Sequence, residues 1–238
     1  MRLHRFYVKQ PLGEELVVEN VGEGKQLLHQ WTSVFRYTRG NEVILFSPYD
    51  NQDYTYSIQT ISKKEAVLSF LTKEESKKLS KYCTLYMALV KKDTFETIVR
   101  QATELGISTI IPVLADKSEK KNLNFERLTA IAIEASEQSG RGTVPLLGEI
   151  VTFSEALIKA SSQPNIIGNI NGQPLMNFNN EECNTKPSIN IWIGPEGGWS
   201  KEEELLAKEN NFFSIKLTET TLKADTAAIA LLSIVLIA

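Results

Sequence analysis

Apolar and polar positions in this chain follow two rhythms, and the change falls near residue 82. Before it, apolar residues come in short runs rich in Val, Ile, Tyr and Phe, at 3–8, 16–18, 42–46, 54–61 and 66–71. Runs of that length and content predict β-strands. Turn formers separate them: Pro11-Leu12-Gly13, Gly22-Glu23-Gly24, Arg39-Gly40-Asn41 and Pro48-Tyr49-Asp50-Asn51. Evenly spaced short strands predict a small β-barrel over residues 1–72. Residues 73–81 are charged and have no apolar period, which predicts a linker.

From residue 82 strands alternate with helices. Strands are predicted at 82–89, 108–113, 144–147, 165–170, 189–193 and 212–217. Between them, Asp93 with Glu96 opens a helix whose stripe is Phe95, Ile98, Val99, Ala102 and Leu105, and Gly106 ends it. A second helix runs over 125–139 between Asn124 and Gly140, a third from Ser154 to residue 160, and a fourth over 201–209. Residues 173–187 are polar and read as a loop. This alternation predicts an α/β domain over 82–238, with a parallel sheet covered on both faces. Residues 227–238 are nearly all apolar but far short of the ~20 that a spanning helix needs. They read as a helix buried in a core or a subunit interface.

Composition narrows the classes. The 238 residues allow one large domain or two modest ones, and 42% hydrophobic with 23% charged residues is ordinary for a soluble protein. Cys83 and Cys183 form no disulfide framework, and His4 and His29 have no partners at metal spacing, so no metal is expected. The first residues lack the apolar core of a signal peptide, which makes a cytoplasmic protein with no membrane association the expectation. A net charge of −3 does not announce a nucleic-acid partner. Residues 1–72 hold eight Lys and Arg against eight Asp and Glu, but the signs are segregated. Arg2, Arg5 and Lys9 interleave with Phe6 and Tyr7, and Arg36-Tyr37-Thr38-Arg39 repeats the mixture. Basic and aromatic side chains together suit RNA; a solvated barrel face is the plainer reading.

The most informative stretch is Ile191-Trp192-Ile193-Gly194-Pro195-Glu196-Gly197-Gly198-Trp199-Ser200. A buried strand runs into a glycine-rich turn, and Pro195 ends the strand because it has no N–H for a ladder. Ser200 and Glu203 form the S-x-x-E pattern of a capping box. Strand, glycine turn and helix start either make a plain connection or a small-molecule site. No Gly-Lys-Ser/Thr follows, and the spacing of Gly194, Gly197 and Gly198 is not G-x-G-x-x-G. A phosphate cradle is therefore not the reading.

Four stretches together resemble the RsmE family of ribosomal-RNA methyltransferases, of the SPOUT superfamily. They are Met1-Arg2-Leu3-His4-Arg5-Phe6-Tyr7, Ala102-Thr103-Glu104-Leu105-Gly106-Ile107-Ser108, Glu137-Gln138-Ser139-Gly140-Arg141 with Val144-Pro145, and Ile193-Gly194-Pro195-Glu196-Gly197-Gly198. The likeness spans the whole chain in order. It implies a PUA-like β-barrel over 1–72 that helps hold RNA, and a SPOUT α/β domain with a trefoil knot over 82–238. It also implies a homodimer, S-adenosylmethionine as cofactor, and small-subunit (16S) ribosomal RNA or a ribosomal particle as partner. The adenine would lie between the 194–198 turn and the 217–226 loop, with Ile193, Gly194, Pro195, Glu196, Gly197, Gly198, Leu217, Leu222, Lys223 and Thr226 as cofactor residues.

The implied reaction methylates N3 of a uridine. N3 lies on the Watson–Crick edge, so the base must be unpaired or turned out, and charge developing on the uracil oxygens needs a cation or donors. Arg141, directly after the 125–139 helix, reads as that group or as a phosphate clamp; Glu137 and Gln138 orient it or face solvent. Arg2, Arg5, Arg36 and Arg39 join Arg141 as RNA contacts. Glu196 reads as structural, Trp192 and Trp199 as packing residues, and Glu104 as a partner for Arg100. The family's last motif, L-G-x-R-I-L-R-T-E-T-A, departs here: Thr218, Thr220, Lys223 and Asp225 replace a glycine, two arginines and a glutamate, and Thr94 stands where the family often has arginine. A catalytically weak relative that binds RNA without methylating it is the alternative reading.

Overall fold

The structure, a computed structural model, describes residues 3–77, 79, 81–119, 122–160, 162–175 and 187–237. The chain divides into two compact units, Met1–Lys78 with Ser136–Val144, and Leu79–Ala135 with Pro145–Ala238.

The first unit is a five-stranded mixed sheet. Its strands are β1 (Arg5–Tyr7), β2 (Glu15–Glu19), β3 (Glu42–Phe46), β4 (Gln52–Ile61) and β5 (Glu65–Glu75), in the order β1-β3-β4-β5-β2. β1 and β3 run parallel, and the other pairs are antiparallel. Alternation places Leu16, Val18, Val43, Leu45, Tyr56, Ile58, Ala66 and Leu68 inside. A helix the sequence pattern concealed completes this core. Gly22-Glu23-Gly24, expected as a turn, opens α1 (Gly22–His29), which continues into a π-helical turn, Gln30–Val34. Leu27, Leu28 and Trp31 are its buried face. Gly24 is needed there because a Cβ would stand 2.2 Å from the Glu19 carbonyl oxygen.

The second unit carries an all-parallel sheet in the order β12-β10-β11-β6-β7-β8, with β9 also on β7. Its elements are β6 (Tyr82–Ala88), α2 (Lys92–Leu105), β7 (Thr109–Leu114), α3 (Phe125–Ser139), β8 (Leu146–Leu147), β9 (Val151–Thr152), α4 (Phe153–Ala160), β10 (Asn165–Pro174), β11 (Ser188–Ile193), α5 (Lys201–Glu209), β12 (Phe213–Lys216) and α6 (Ala224–Ile237). On one face Phe153, Ala156 and Ala160 of α4 and Ala207 of α5 pack on Tyr86, Ile167 and Trp192. α2 and α6 pack on each other, and α6 lies on β11. Residues 136–139 of α3 group with the first unit, the rest of α3 with the second.

Several expectations are corrected. Lys73, Glu74 and Glu75 are not linker but strand, paired with Tyr54, Asp53 and Gln52, because β4 is long enough to partner them. α2 starts at Lys92 behind Lys91, with no side-chain cap from Asp93. α4 starts one residue before Ser154: Thr152 and Glu155 form its box, Glu155 N–H to Thr152 Oγ1 and Thr152 N–H to Glu155 Oε2, 2.7 Å. The Thr152 N–H and hydroxyl, both donating to Glu155 Oε2, hold the Glu155 carboxyl below its usual pKa. Arg100 reaches Glu134 at 3.8 Å, across to α3, rather than Glu104. Gln173 and Pro174, expected in a loop, pair with β12, and 176–186, with Cys183, lie outside the described residues. The final helix begins at Ala224, so Lys223 precedes it and Thr226 sits in its first turn.

Gly24→Ala should cost about 2 kcal/mol in urea unfolding followed by circular dichroism, since the clash is with backbone. Gly13→Ala, where a Cβ meets nothing within 4 Å, should change stability by under about 0.5 kcal/mol.

Candidate functional site

The second unit holds a cavity of about 380 Å³, within the range of small-molecule sites. Its walls are the turn after β11 (193–199), residues 215–218 and 220–222 at and after β12, and residues 168–171 of β10, with Lys117, Glu204, Ala224 and Ala227 at its margins. Each wall has a local cause. The 194–199 turn is closed by the Gly198 N–H on the Pro195 carbonyl, 2.8 Å, and Gly198 takes φ +68, a left-handed value that suits glycine. Trp199 folds under the turn and donates to the Gly168 carbonyl, 3.1 Å. Gly194 lies against that ring: a Cβ there would come within 3.1–3.3 Å of it.

The second wall comes from a break in β10. Gly168 and Gln173 both face Ile215, so residues 169–172 bulge out of the ladder. Gly172 permits the bulge, since a Cβ would stand 2.7 Å from the backbone of Ser214 and Ile215. The third wall is tied locally, with the Thr218 hydroxyl on the Thr220 carbonyl, 2.6 Å, and Lys216 on Glu219, 2.6 Å.

Beneath the turn lies a polar network. Ser200 and Glu203 form a complete capping box: Glu203 N–H to Ser200 Oγ, 3.2 Å, and Ser200 N–H to Glu203 Oε2, 2.7 Å. Glu203 Oε1 also accepts from the Asp116 N–H, 3.0 Å, and the Ser200 hydroxyl donates to Asp116 Oδ2. Lys117 Nζ donates to the carbonyls of Gly197 and Trp199, at 3.1 and 2.8 Å. The 114–118 segment therefore buttresses the glycine turn from outside.

Of the expected cofactor residues, Ile193, Gly194, Pro195, Glu196, Gly197, Gly198, Leu217 and Leu222 meet around this cavity; Lys223 and Thr226 are not among its lining residues. Trp192 is fully buried, stacked on Tyr86 at 4.2 Å, and donates to Asn165 Oδ1, 2.9 Å. Sequence reasoning missed the 169–172 bulge, Lys117 and Glu204. The signal for the bulge was Gly172, just past the predicted 165–170 strand. Among the described lining residues there is no His, Cys, Asp or Arg.

The other candidates lie in the first unit. Arg2 is outside the described residues. Arg5 is not a surface cation. Its guanidinium forms a fork on Asp53, 2.7 and 2.9 Å, with side-chain exposures of 8% and 12%. It lies 4.4 Å over the Phe46 ring and donates to the carbonyls of Ser136 and Arg141. The Ser76 hydroxyl also donates to Asp53. Gly142 rests on Ser76 so closely that a Cβ would stand 2.2 Å from its Cβ. Glu137 Oε1 accepts from the Tyr7 N–H, 2.8 Å. Arg141 is 6% exposed, donates to Thr143 Oγ1, and has its pKa pushed down to about 10 by burial. Arg36 and Arg39 are exposed. Among the described residues no group of three His, Cys, Asp or Glu is arranged to hold a metal, and no helix is long and apolar enough to cross a membrane.

Ser200→Ala removes the cap and the bond to Asp116 together, and should cost about 1–2 kcal/mol in chemical unfolding. Asp53→Ala strands the Arg5 guanidinium and should cost about 3 kcal/mol or more in the same assay.

A family model described as RNA methyltransferase domain matches residues 77–236. The chain is 32% identical to the ribosomal RNA small subunit methyltransferase E of Rickettsia conorii, covering 96% of this chain and 93% of the relative. It is 30% identical to that of Aquifex aeolicus, over 98% and 99%. Among solved structures it resembles the ribosomal RNA small subunit methyltransferase E of Neisseria gonorrhoeae bound to S-adenosylmethionine, with a TM-score of 0.86 and 26% identity over 98% and 96% of the two chains. A Legionella pneumophila protein solved with the same cofactor gives a TM-score of 0.87 at 25% identity, over 99% and 97%. The chain belongs to the family of the ribosomal RNA small subunit methyltransferases E.

Proposed function

We propose that this chain is an S-adenosylmethionine-dependent methyltransferase of small-subunit ribosomal RNA, acting on N3 of a uridine. The observation that carries the reading is the cavity between 193–199 and 215–222, where the glycine turn and the apolar Ile193, Leu217 and Leu222 meet Thr, Asn, Lys and Glu side chains. Bound there, S-adenosylmethionine supplies an electrophilic methyl group on a sulfonium.

The chain's own residues do the rest. The 194–198 turn holds the cofactor through main-chain groups, because Gly197 and Gly198 leave the approach open. Ile193, Leu217 and Leu222 cover its apolar parts and keep water out. The methyl acceptor is the base, presented unpaired. Arg141 supplies positive charge for the uracil oxygens. With a pKa of about 10 it is still a cation near neutrality, and a buried cation is a folding cost that functional sites retain. Glu137, bound to the Tyr7 N–H, is a positioning residue for that segment.

The same reading takes the first unit as a PUA-like barrel that holds RNA, with Arg36 and Arg39 toward it, and the second as a SPOUT domain with a trefoil knot. It makes the enzyme a homodimer. What supports a second copy is α6, apolar along its length and with Ile237 70% exposed.

Titration calorimetry of the purified chain should show S-adenosylmethionine binding, and its absence would remove the reading. Gly197→Val should weaken that binding at least ten-fold, about 1.4 kcal/mol, because a Cβ already meets Lys117 at 3.3 Å and the added methyls must enter the site. Unchanged affinity would displace the site. Arg141→Lys keeps charge but loses the planar fork, so methyl transfer to small-subunit particles should fall more than cofactor affinity; the reverse order would take Arg141 off the RNA side.

A further inference from the structure

We propose that His4, Phe35 and Tyr37 form a stacking platform for one unpaired nucleotide of the RNA, with Arg36 kept beside it for the adjoining phosphate. The proposal deepens the RNA-methyltransferase reading and rests on it.

The three rings pack into one cluster. His4 meets Phe35 edge-on with centroids 4.3 Å apart, and Phe35 and Tyr37 lie within 12° of parallel at 5.3 Å. Phe35 and Tyr37 are half-buried and His4 is exposed. Phe6, 5.6 Å from Phe35, and Trp31 behind it are buried and back the platform with rigid core. Aromatic surfaces accept any base by stacking, and flanking cations track the backbone. Arg36 and Arg39 are the exposed cations on this segment.

The backbone supplies a second, independent observation. The helical segment ends with the Phe35 N–H on the Gln30 carbonyl and the Tyr37 N–H on the Trp31 carbonyl, 2.9 and 2.8 Å. Arg36 between them takes φ +54. A helix end of this kind normally places glycine at that position, because a side chain there is strained. Arginine closes the helix no better than glycine. What it adds is an exposed cation between Phe35 and Tyr37 in the chain, at a cost in stability. A strained non-glycine residue of this kind is the outlier from which a binding role is inferred.

The test uses the full chain and a fluorescein-labelled, mixed-sequence single-stranded RNA, read by fluorescence anisotropy. His4→Ala and Arg36→Gly should each weaken binding about five- to ten-fold. S-adenosylmethionine affinity should stay as in the parent chain. Arg36→Gly should also lower the salt slope by about one and raise the melting temperature by about 2–4 °C: a more stable protein that binds RNA less well. Parent-like RNA affinity in both variants would overturn the platform. So would an equal loss for His4→Ala on heparin, which has charge but no bases. The two readings fail separately. A parent chain that neither binds S-adenosylmethionine nor methylates removes the enzyme, whereas one that methylates while both variants bind RNA normally removes only the platform.

Discussion

Glu203 is 3% exposed, and its two carboxylate oxygens take backbone N–H groups from Ser200 and, 87 residues away, from Asp116. A buried carboxylate without such donors is costly; with them it becomes a clamp. It fixes where α5 begins, and hence where the 194–199 turn must end. Through Asp116 it also fixes the segment carrying Lys117, whose ammonium takes the Gly197 and Trp199 carbonyls. The turn therefore presents its open glycine side to the cavity while its carbonyls are held elsewhere. The site's shape follows from this arrangement rather than from any side chain that faces the ligand.

The first unit has a corresponding ion pair, Arg5 with Asp53. Besides joining β1 to β4, Arg5 donates to the carbonyls of Ser136 and Arg141, which anchors the 136–144 segment within the first unit. Arg5 looks like an RNA contact in sequence because it alternates with aromatic residues. In three dimensions the same alternation turns it inward, onto Phe46 and Asp53. Alternation reports which residues share a face, and it cannot report which face a distant carboxylate will occupy.

That distinction separates what was legible in the sequence from what was not. The strand–turn–helix of 188–209 was legible because its causes are local: a β-branched run, a proline, and Ser200 three residues from Glu203. α3 was legible for the same reason, with the Asn124 side chain accepting the Arg127 N–H at one end and Gly140 at φ +77 at the other. α1 was hidden because Gly22 and Gly24 read as a turn, and the need for Gly24 comes from Glu19, which only the folded chain brings near. The β10 bulge was hidden because it depends on register against β12. The continuation of β5 through Lys73–Glu75 was hidden because β4, rather than the charged residues themselves, decides it.

The stretch that departs from the family pattern, 217–227, bears on whether the chain is an enzyme or a weakened relative. Leu217, Thr218, Thr220, Thr221 and Leu222 are themselves cavity wall. Replacing glycine by Thr218 would be damaging if the position needed a left-handed backbone, yet the positive-φ non-glycine residues are Arg36 and Asn211 among those described. The Thr218 hydroxyl instead closes the wall on the Thr220 carbonyl. Lys223, which replaces an arginine, and Asp225 do not line the cavity, and Asp225 instead accepts the Thr226 N–H in the first turn of α6, where a negative charge favours the helix. The changes thus fall on positions that carry their new residues without strain or lie off the cavity wall. They leave the cavity wall intact, which favours the active enzyme over the weakened one.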